Sequence, residues 1–429
     1  MESVRGIDAF MNSYVEVSAS RPQIFIVLPC YLPGYKAGGP LRSIENVVAT
    51  LGQEFDFKIV TLDRDLGETS QYPGIVTNEW VRVGQADVLY LQPGLRGFLN
   101  MWALLRSVDR QTVLYLNSFF ARRFSMLPAL MRWLRLCRPQ SLVLAPRGEF
   151  SLGALGLKRV QKFLYLKIAR GLGIYRRTIW QASSEFEAQD IRRQFPELKG
   201  GEAAAAAGGP ALSRMPSSSV IMTAIDLLGA TALLSESKRE KRAGELRIVF
   251  VSRFSRKKNL SGALKLLAGV NGDVSFDLYG PVEDAEYWRE CQGIIACLPA
   301  NVRVRNNREI EHKEIGRVFA EHDLLLLPTL GENFGHVIGE ALASGCPVLI
   351  SDQTPWRNLE SEGVGWDIPL ADKERFQSVL QQCVDGDGEW HAVLSSQARS
   401  YAVKHASDPV AIEANRKLFN LALRMEPYL

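Results

Sequence analysis

The sequence predicts an α/β protein built from two domains, and three observations support this prediction. The first is the length, because 429 residues are too many for one ordinary core and suit two domains of about 200 residues each. The second is the order strand, loop, helix, strand across residues 324–350. The third is the repeated passage from an apolar strand through a loop into a helix at 24–51 and at 246–260.

The composition is that of a globular protein, with 46% hydrophobic and 23% charged residues. The six cysteines include no Cys-x-x-Cys pair, which argues against a zinc site and a disulfide framework and favours a reducing cytoplasm. The first 20 residues lack an apolar signal segment, and no later run approaches the roughly 20 apolar residues of a membrane span. We therefore do not expect an integral membrane protein.

In the first half, the predicted strand Ile24–Leu28 leads into a glycine-rich loop before the helix Leu41–Leu51. Gly38 and Gly39 allow close backbone approach to a ligand, and Pro40 suits the first position of a helix whose amides face that ligand. A tight connector without a ligand is the alternative interpretation.

In the second half, the predicted strand Leu246–Val251 leads into a strongly cationic loop. Arg253 and Lys258 are five residues apart across a turn, so both can converge on one diphosphate, Arg253 through its planar fork and Lys258 as a point charge. A basic loop that is simply solvated is the alternative.

A second loop follows the apolar strand Leu324–Leu327, which Pro328 closes. The helix Val337–Ser344 comes next, and Gly345 with Pro347 stops it before the strand Val348–Ile350. Such a loop lies at the carboxyl end of a parallel sheet, where open α/β sheets bind ligands. The sequence therefore places the amides of Phe334, Gly335 and His336 where they can face a phosphate.

Two carboxylates flank this turn. Glu340, about one turn inside the helix, can accept hydrogen bonds from the two hydroxyls of a ribose, and Glu332 on the loop can reach a sugar hydroxyl. An ordinary helix charge and a solvated surface glutamate are the alternative interpretation of the pair.

These motifs resemble those of the retaining nucleotide-sugar glycosyltransferases of family four, which have the two-domain GT-B fold. The matching stretches are Ser252-Arg253-Phe254 through Lys258-Asn259-Leu260 and Glu332-Asn333-Phe334-Gly335 through Glu340-Ala341-Leu342. The likeness covers residues 22–195 and 245–425.

The resemblance implies two Rossmann-like domains facing one another across a cleft, and it also implies roles for site residues. Arg253 and Lys258 would hold the donor diphosphate, and Glu332 would face the transferred sugar. The implied catalytic residues are thus Arg253, Lys258 and Glu332, and the implied donor-binding residues are Asn333, Phe334, Gly335, His336, Glu340, Gly38 and Gly39.

The chain departs from the family where many relatives carry Pro-His-Gly, because Pro146-Arg147-Gly148 stands there and Glu149 follows. We assign Arg147 and Glu149 to the acceptor side. Arg147 has three possible roles: it binds an anionic acceptor, stabilises the leaving group, or only orients Glu149. Asp63-Arg64-Asp65 looks like the metal signature of a different glycosyltransferase fold, but we interpret it as a surface turn and expect no metal site.

The distribution of charge along the sequence gives information about the class of acceptor. Residues 121–180 contain thirteen Lys or Arg and a single acid, Glu149. Apolar residues alternate with arginines between Phe124 and Leu134, a pattern typical of a helix on an anionic membrane. A core-facing helix with a solvated basic side is the alternative, and no recognised nucleic-acid motif accompanies the basic residues.

We predict an N-terminal domain at 1–198, a linker at 199–220, a nucleotide-sugar-binding domain at 221–405 and a final helix at 406–429. The linker is predicted from its low complexity. The apolar run Ile221–Leu234 is expected to dock on the second domain, and the resemblance implies that the final helix crosses back to the first.

The predicted function is a retaining, metal-independent glycosyltransferase that uses a UDP- or GDP-linked sugar and needs no cofactor. Its acceptor would be a glycan or lipid-linked hydroxyl in surface polysaccharide or lipid-linked oligosaccharide assembly. The expected location is the cytoplasm, peripheral to the inner face of the plasma membrane, and no nucleic-acid partner is expected. The alternatives are a GT-B epimerase or phosphorylase and a catalytically silent nucleotide-sugar-binding module.

Overall fold

The computed structural model describes residues 21–156, 159–198, 219–229 and 240–425. Most of the predicted linker, 199–218, and the last four residues of the predicted final helix, 426–429, lie outside the described residues. Within the described part, the chain folds into two α/β domains, each around its own parallel sheet. No helix there is both long and apolar enough to cross a membrane.

The first domain contains an eight-stranded sheet in the order β3-β4-β2-β1-β5-β6-β7-β8. Its strands are β1 (Gln23–Val27), β2 (Asp56–Leu62), β3 (Trp80–Val83), β4 (Ala86–Leu91), β5 (Thr112–Leu116), β6 (Ser141–Leu144), β7 (Thr178–Ala182) and β8 (Val220–Thr223). All pairs are parallel except that of β3 with β4. Its helices are α1 (Gly39–Leu51), α2 (Leu95–Ser107), α3 (Leu127–Trp133), α4 (Leu152–Gly156), α5 (Arg159–Gly171) and α6 (Glu185–Gln194), and a π-helical turn spans Arg122–Met126.

The second domain contains a six-stranded parallel sheet in the order β11-β10-β9-β12-β13-β14. Its strands are β9 (Glu245–Val251), β10 (Asp273–Tyr279), β11 (Val302–Asn306), β12 (Leu324–Leu327), β13 (Val348–Ser351) and β14 (Gly365–Ile368). Its helices are α7 (Leu260–Leu267), α8 (Ala285–Ile295), α9 (His312–Ala320), α10 (His336–Ala343), α11 (Lys373–Asp385) and α12 (Gly388–Ala406), with a 3₁₀ turn at Arg256–Lys258. A last helix, α13 (Pro409–Arg424), follows α12.

The strand order of each sheet fixes where a ligand can bind. In the first sheet the order reverses between β1 and β5, and in the second between β9 and β12. Loops that leave such neighbouring strands diverge to opposite faces and leave a crevice at the carboxyl edge. The glycine-rich loop follows β1, the cationic loop follows β9 and the Glu332 loop follows β12, so all three lie at these switch points.

The chain crosses between the domains later than the sequence predicts. The prediction placed residues from 221 onward in the second domain, but Val220–Thr223 pairs with β7 as the edge strand of the first sheet. The crossing follows this strand, since Leu227 packs in the first core and Leu228 in the second. The domain boundary was predicted too early because the low-complexity segment 199–218 was interpreted as the linker. The edge strand that follows has only four residues, which is too short for a recognisable strand pattern.

Helix α13 packs against the sheet of the first domain. Phe419 is buried there against Phe55, Phe57 and Tyr115, with ring centroids 5.3 to 6.0 Å apart. Arg416 also pairs with Glu54 at 2.6 Å. The C-terminal helix therefore ties the end of the chain to the first domain.

Candidate active site

A cavity of about 310 Å³ lies between the two domains, where their switch points face each other. Both domains contribute to its wall. Every predicted site residue except Glu149 lines it, namely Gly38, Gly39, Arg147, Arg253, Lys258, Glu332, Asn333, Phe334, Gly335, His336 and Glu340. The structure thus brings together residues that lie as much as 300 positions apart in the sequence.

Lys258 and Glu332 form the central ion pair of this cavity. The Lys258 Nζ to Glu332 Oε1 distance is 2.5 Å, and both side chains are largely buried. Two hydrogen bonds hold their loops together: Asn259 Nδ2 donates to the Pro328 carbonyl at 2.8 Å, and the Leu330 amide donates to the Lys257 carbonyl at 2.8 Å. The predicted diphosphate cation and the predicted sugar-facing carboxylate are therefore direct partners.

Two more cations add to the positive charge of this wall. Arg253 pairs with Glu283 at 2.9 Å, but both side chains are well exposed, so this pair contributes little to stability. Burial lowers the pKa of Lys257, and the charges of Lys258 and Arg253 lower it further against the opposing effect of Glu332. An anion placed among these three side chains would relieve their mutual repulsion.

Three helices begin at the cavity without a side-chain cap. They are α1, α9 and α10, whose first turns contribute Gly39, His312 and His336 to the wall. Helices α2, α3 and α7 also begin without a side-chain cap, whereas α6, α8, α11, α12 and α13 are each capped by a Ser or Asp side chain. Uncapped helix starts present amides and the positive end of the helix dipole, which suits an anionic ligand.

The turn into α10 depends on Gly335. Its φ of 83° and ψ of 56° are left-handed, and a Cβ there would lie 2.9 Å from Ile338 Cδ1. Trp356 supports the turn, because its Nε1 donates to the Phe334 carbonyl at 2.7 Å and its ring packs on that of Phe334. Trp356, a residue of the second domain, thereby holds the loop in place.

Glu340 lies on the cavity side of α10. Burial raises the pKa of Glu340, whereas His336 and Arg42 act in the opposite sense. His312 Nδ1 is 3.9 Å from Glu340 Oε1. Burial, with the nearby charges of Arg42 and His336, lowers the pKa of His312 to about 4. At neutral pH His312 is therefore an uncharged neighbour of Glu340 and does not act as its counter-ion.

Arg147 is buried at the domain junction and bonded to protein groups through all three guanidinium nitrogens. Its Nε donates to Asn117 Oδ1 at 2.7 Å, its Nη2 donates to Tyr115 Oη at 2.8 Å, and its Nη1 pairs with Asp226. Its φ of 56° is left-handed, which costs a non-glycine residue about 1–2 kcal/mol. Of the three predicted roles, orienting Glu149 does not match these contacts.

Asp226 extends this network to the second domain. Its Oδ2 accepts a hydrogen bond from Ser43 Oγ at 2.8 Å, and His336 Nε2 lies 3.1 Å from that hydroxyl and 3.7 Å from Asp226 Oδ2. Burial alone would raise the pKa of Asp226, but Arg147, His336 and Ser43 hold it well below its ordinary value. A buried, ionised carboxylate thus connects Arg147 to the first residue of α10.

Glu149 is hydrogen-bonded to the turn after β5. Its carboxylate accepts hydrogen bonds from Ser118 Oγ at 2.8 Å and from the amides of Phe119 and Phe120 at 2.5 and 3.0 Å. It does not line the cavity. The turn after β5 needs a buried hydrogen-bond acceptor for these donors, and Glu149 supplies it. Its assignment to the acceptor side stays a prediction.

The glycine-rich loop is held by Asp65. This carboxylate accepts hydrogen bonds from the amides of Tyr35 at 2.8 Å and Lys36 at 3.2 Å. Asp63 and Asp65 are both buried, so the predicted surface turn is wrong. At the tip of the loop, a Cβ on Gly39 would lie 3.6 Å from His336 Cδ2 of the second domain. Lys36 Nζ also pairs with Glu309 of that domain at 3.0 Å.

Several residues of the site were missed in the sequence analysis. Lys257 had a usable signal, since it adjoins Lys258 in the cationic loop. The others gave no local signal, because each depends on a partner from a distant segment. They are Arg42, Ser43, Asp226 and His312.

The architecture and the site together define a class. Two doubly wound domains that meet at a cavity form a GT-B fold. In this chain a cationic loop and two glutamates lie at the junction of the domains. In its fold the chain is similar to Anabaena Alr3699/HepE in complex with UDP and glucose, with a TM-score of 0.62 and 15% identity over 93% of this chain and 99% of that one. It is also similar to sucrose-phosphate synthase from Thermosynechococcus elongatus, with a TM-score of 0.61 and 15% identity over 94% and 99% of the two chains.

A third similar structure is WaaG, described as a glycosyltransferase involved in lipopolysaccharide biosynthesis, with a TM-score of 0.58 and 13% identity over 93% and 99% of the chains. No curated protein sequence matches this chain. Residues 234–403 match the family of glycosyl transferases group 1. The predicted fold and resemblance are therefore confirmed, and the family match falls within the second domain of this chain.

Proposed function

We propose that this protein is a retaining glycosyltransferase that transfers a sugar from a nucleotide-sugar donor to a hydroxyl acceptor. The observation that carries the proposal is the convergence of Lys258, Glu332 and Glu340 on one cavity rimmed by uncapped helix starts. A UDP-linked donor is favoured over a GDP-linked one, because the similar HepE structure holds UDP and glucose.

In this proposal Arg253 and Lys258 bind the donor diphosphate together with the amides at the start of α10. Glu340 accepts hydrogen bonds from the ribose, and Glu332 faces the transferred sugar. Asn333 and Phe334 complete the donor-binding side of the cavity in the second domain. Gly38 and Gly39 line the cavity from the first domain. Each preorganised donor aimed at the developing charge commonly contributes about 3 kcal/mol to transition-state stabilisation.

The proposed transfer takes place on one face of the sugar. The bond from the anomeric carbon to the phosphate oxygen breaks, and its electron pair leaves with the nucleoside diphosphate. The acceptor oxygen then bonds to the same face of that carbon, and its proton passes to the departing phosphate oxygen. No enzymic base is required, which suits a site where Arg147 replaces the family histidine.

We propose that no metal ion takes part. Arg253, Lys257 and Lys258 are positioned to supply the positive charge that a divalent cation would otherwise bring to the diphosphate. Turnover should therefore persist in excess EDTA. Loss of activity in EDTA that Mg²⁺ or Mn²⁺ restores would contradict this part of the proposal.

The proposed acceptor is a glycan or lipid-linked hydroxyl in surface polysaccharide or lipid-linked oligosaccharide assembly. The basic region 121–180 supports this, since such acceptors are presented at an anionic membrane. The proposed location is accordingly cytoplasmic, at the inner face of the plasma membrane.

The test is product analysis with UDP- and GDP-sugars and a lipid extract as acceptor, using the wild type, Lys258→Ala and the control Arg256→Ala. Arg256 belongs to the same 3₁₀ turn but is exposed and pairs with Glu290 away from the cavity. We expect a new glycosidic bond of retained configuration, a loss of about 100-fold in turnover for Lys258→Ala and no loss for the control.

Other products would identify the alternatives. A free epimerised sugar nucleotide would indicate an epimerase, and phosphate-dependent release of a sugar phosphate would indicate a phosphorylase. Nucleotide binding without any product from any donor would favour the silent binding module. Unchanged turnover in Lys258→Ala would contradict the proposed diphosphate site.

A further inference from the structure

Helix α5 is apolar on two sides, although only one side packs on the protein. Its inner side buries Leu166 and Ala169. Its outer side exposes Val160 by 79%, Phe163 by 57%, and Leu164 by 57%. Val160, Leu164 and the partly exposed Ile168 are four residues apart, so they form one outward row along the helix. A surface helix of a soluble domain normally presents polar residues there.

The start of α2 exposes two further apolar side chains. Leu95 and Leu99 at the start of α2 are 73% and 52% exposed. The 122–123 turn joins the two helices, because Arg123 Nη2 donates to the Gly94 carbonyl at 3.3 Å and Arg122 Nη2 donates to Gln161 Oε1 at 3.3 Å. We name this surface the apolar-basic face and define it by Leu95, Leu99, Val160, Phe163, Leu164 and Ile168.

Cations surround the apolar-basic face. Arg96, Arg122, Arg159 and Lys167 are all exposed on the same segments. Lys167 Nζ lies over the Phe163 ring, 4.7 Å from its centroid. Across residues 92–181 the only acids are Asp109 and Glu149, and Glu149 is committed to the turn after β5. The segments that form this face therefore carry a strong excess of positive charge, although Arg170 at the end of α5 pairs with Glu197.

The structure places this face differently from the sequence analysis. The segment 124–134 was predicted to rest on a membrane, but Phe124 and Met131 are buried in the core of the first domain. Arg132 is buried too and donates to the carbonyls of Arg176 and Arg177 at 2.8 to 3.1 Å. Within 121–180, α5 is instead the described helix that carries an exposed apolar row.

The apolar-basic face also lies on the side of the domain that bears the cleft. Its segments leave the carboxyl ends of β4, β5 and β6, and the cavity occupies the carboxyl edge of the same sheet. A bilayer bound there would lie on the same side of the domain as the cavity.

We infer that the apolar-basic face docks on an anionic lipid bilayer, with the α5 row inserted at the interface and the cations on the headgroups. The combination of an exposed apolar row with nearby cations matches such a surface, because the acyl boundary of a bilayer accepts the apolar side chains and its acidic headgroups attract the cations. This inference does not depend on the sugar donor or on catalysis.

The test is cosedimentation of the full chain with vesicles of phosphatidylcholine alone or mixed equally with phosphatidylglycerol. Phe163→Ser/Leu164→Ser removes the centre of the row, and Arg159→Glu/Lys167→Glu reverses the charge beside it. The matched control is Val410→Ser on α13, which removes an apolar side chain that is 72% exposed on another surface. Thermal unfolding of each variant checks that it folds.

We expect the wild type and Val410→Ser to bind the anionic vesicles, with binding weakened by salt, and both double variants to partition at least tenfold less. Equal binding to neutral vesicles would overturn the electrostatic part of the inference. No vesicle binding by the wild type, or undiminished binding by Phe163→Ser/Leu164→Ser, would overturn it entirely. Dimerisation of the wild type that this variant abolishes, without vesicle binding, would assign the face to a second copy of the chain.

Discussion

Arg147 and Asp226 form the most deeply buried ion pair among the described residues of the site. Each partner makes further hydrogen bonds, which is the condition under which a buried pair is tolerated. Because Asp226 also contacts Ser43 and lies 3.7 Å from His336 Nε2, the pair links the first sheet to the start of α10. We interpret Arg147 as a positioning residue for α10.

Arg147→Met should therefore destabilise the protein by about 3–5 kcal/mol, since it leaves the Asp226 carboxylate buried without its cation. Combining it with Asp226→Asn should cost less than the sum of the two single changes. The measurement is denaturant unfolding of both single variants and the double variant.

The control for this cycle is Arg192→Met. Arg192 also pairs with an acid, Glu185 at 2.7 Å, but both side chains are well exposed, so its loss should cost less than about 1 kcal/mol. Additive losses for Arg147→Met and Asp226→Asn would show that the two groups act independently.

His312 gives the site a pH dependence. Its folded pKa of about 4 is below the ordinary value of 6.5, so between these values the unfolded chain binds a proton that the folded chain does not. The contribution of His312 to stability is therefore present at neutral pH and is lost as the pH falls from about 6.5 towards 4. Glu340 opposes it, because a raised carboxyl pKa favours the folded state at low pH.

His312→Asn isolates this contribution, since Glu340 is retained in both proteins. We expect the variant to lose less stability than the wild type between pH 7 and pH 5. The difference should be below about 1 kcal/mol per pH unit, because the imidazole is 34% exposed. Thermal unfolding at the two pH values measures it, and parallel losses in the two proteins would contradict the role given to His312.

At the scale of elements, the site depends on how α10 begins. The helix has no side-chain cap, and its entry turn requires the left-handed backbone of Gly335. Trp356 fixes that turn from one side, and Gly148 approaches it from the other domain, where an added Cβ would lie 3.3 Å from Asn333 Cβ. The start of α10 is thus shaped by both domains.

Gly335→Ala should cost about 1–2 kcal/mol and weaken nucleotide binding, because alanine disfavours a φ of 83°. Gly293→Ala is the matched control. Gly293 lies within α8 with no atom near an added Cβ, so alanine there should stabilise the protein by about 0.5–1 kcal/mol. Denaturant unfolding and UDP titration are measured for both variants. A change in the free energy of unfolding that has the same sign in both variants would refute the turn assigned to Gly335.

The elements also show which parts of the site can be predicted from sequence. Strand β12 and the turn into α10 were predictable, because an apolar run, a glycine and a helix pattern are adjacent in the chain. The Arg147–Asp226 pair could not be predicted, because its partners are 79 residues apart. The residues around each partner give no indication of the other. Strand β8 was missed for a different reason, since four residues beside a low-complexity segment have no periodicity to detect.

The exposed row on α5 was missed because apolar residues on both sides of a helix give no amphipathic pattern. Burial decided which side faces the core, and burial depends on the packing of α5 against the rest of the domain. The two-domain fold was predictable from the alternation of strands and helices, because that pattern repeats across many residues and tolerates local errors.

At the scale of the whole molecule, the cavity exists only where the two domains meet. The glycine-rich loop and Arg147 come from the first domain, and the cationic loop and α10 come from the second. Lys36 spans the junction through its pairs with Glu68 at 2.6 Å and Glu309 at 3.0 Å. The interdomain geometry is therefore part of the site itself.

The most direct test of the central claim is titration of UDP, with uridine as the reference ligand, against the wild type, Lys258→Ala, Glu340→Gln and Arg256→Ala in EDTA. At 100 times its Kd, UDP should stabilise the wild type and Arg256→Ala by about 2.7 kcal/mol. Lys258→Ala should lose the preference for UDP over uridine, and Glu340→Gln should weaken both ligands. Equal UDP affinity in the wild type and Lys258→Ala would contradict a diphosphate site between these two domains.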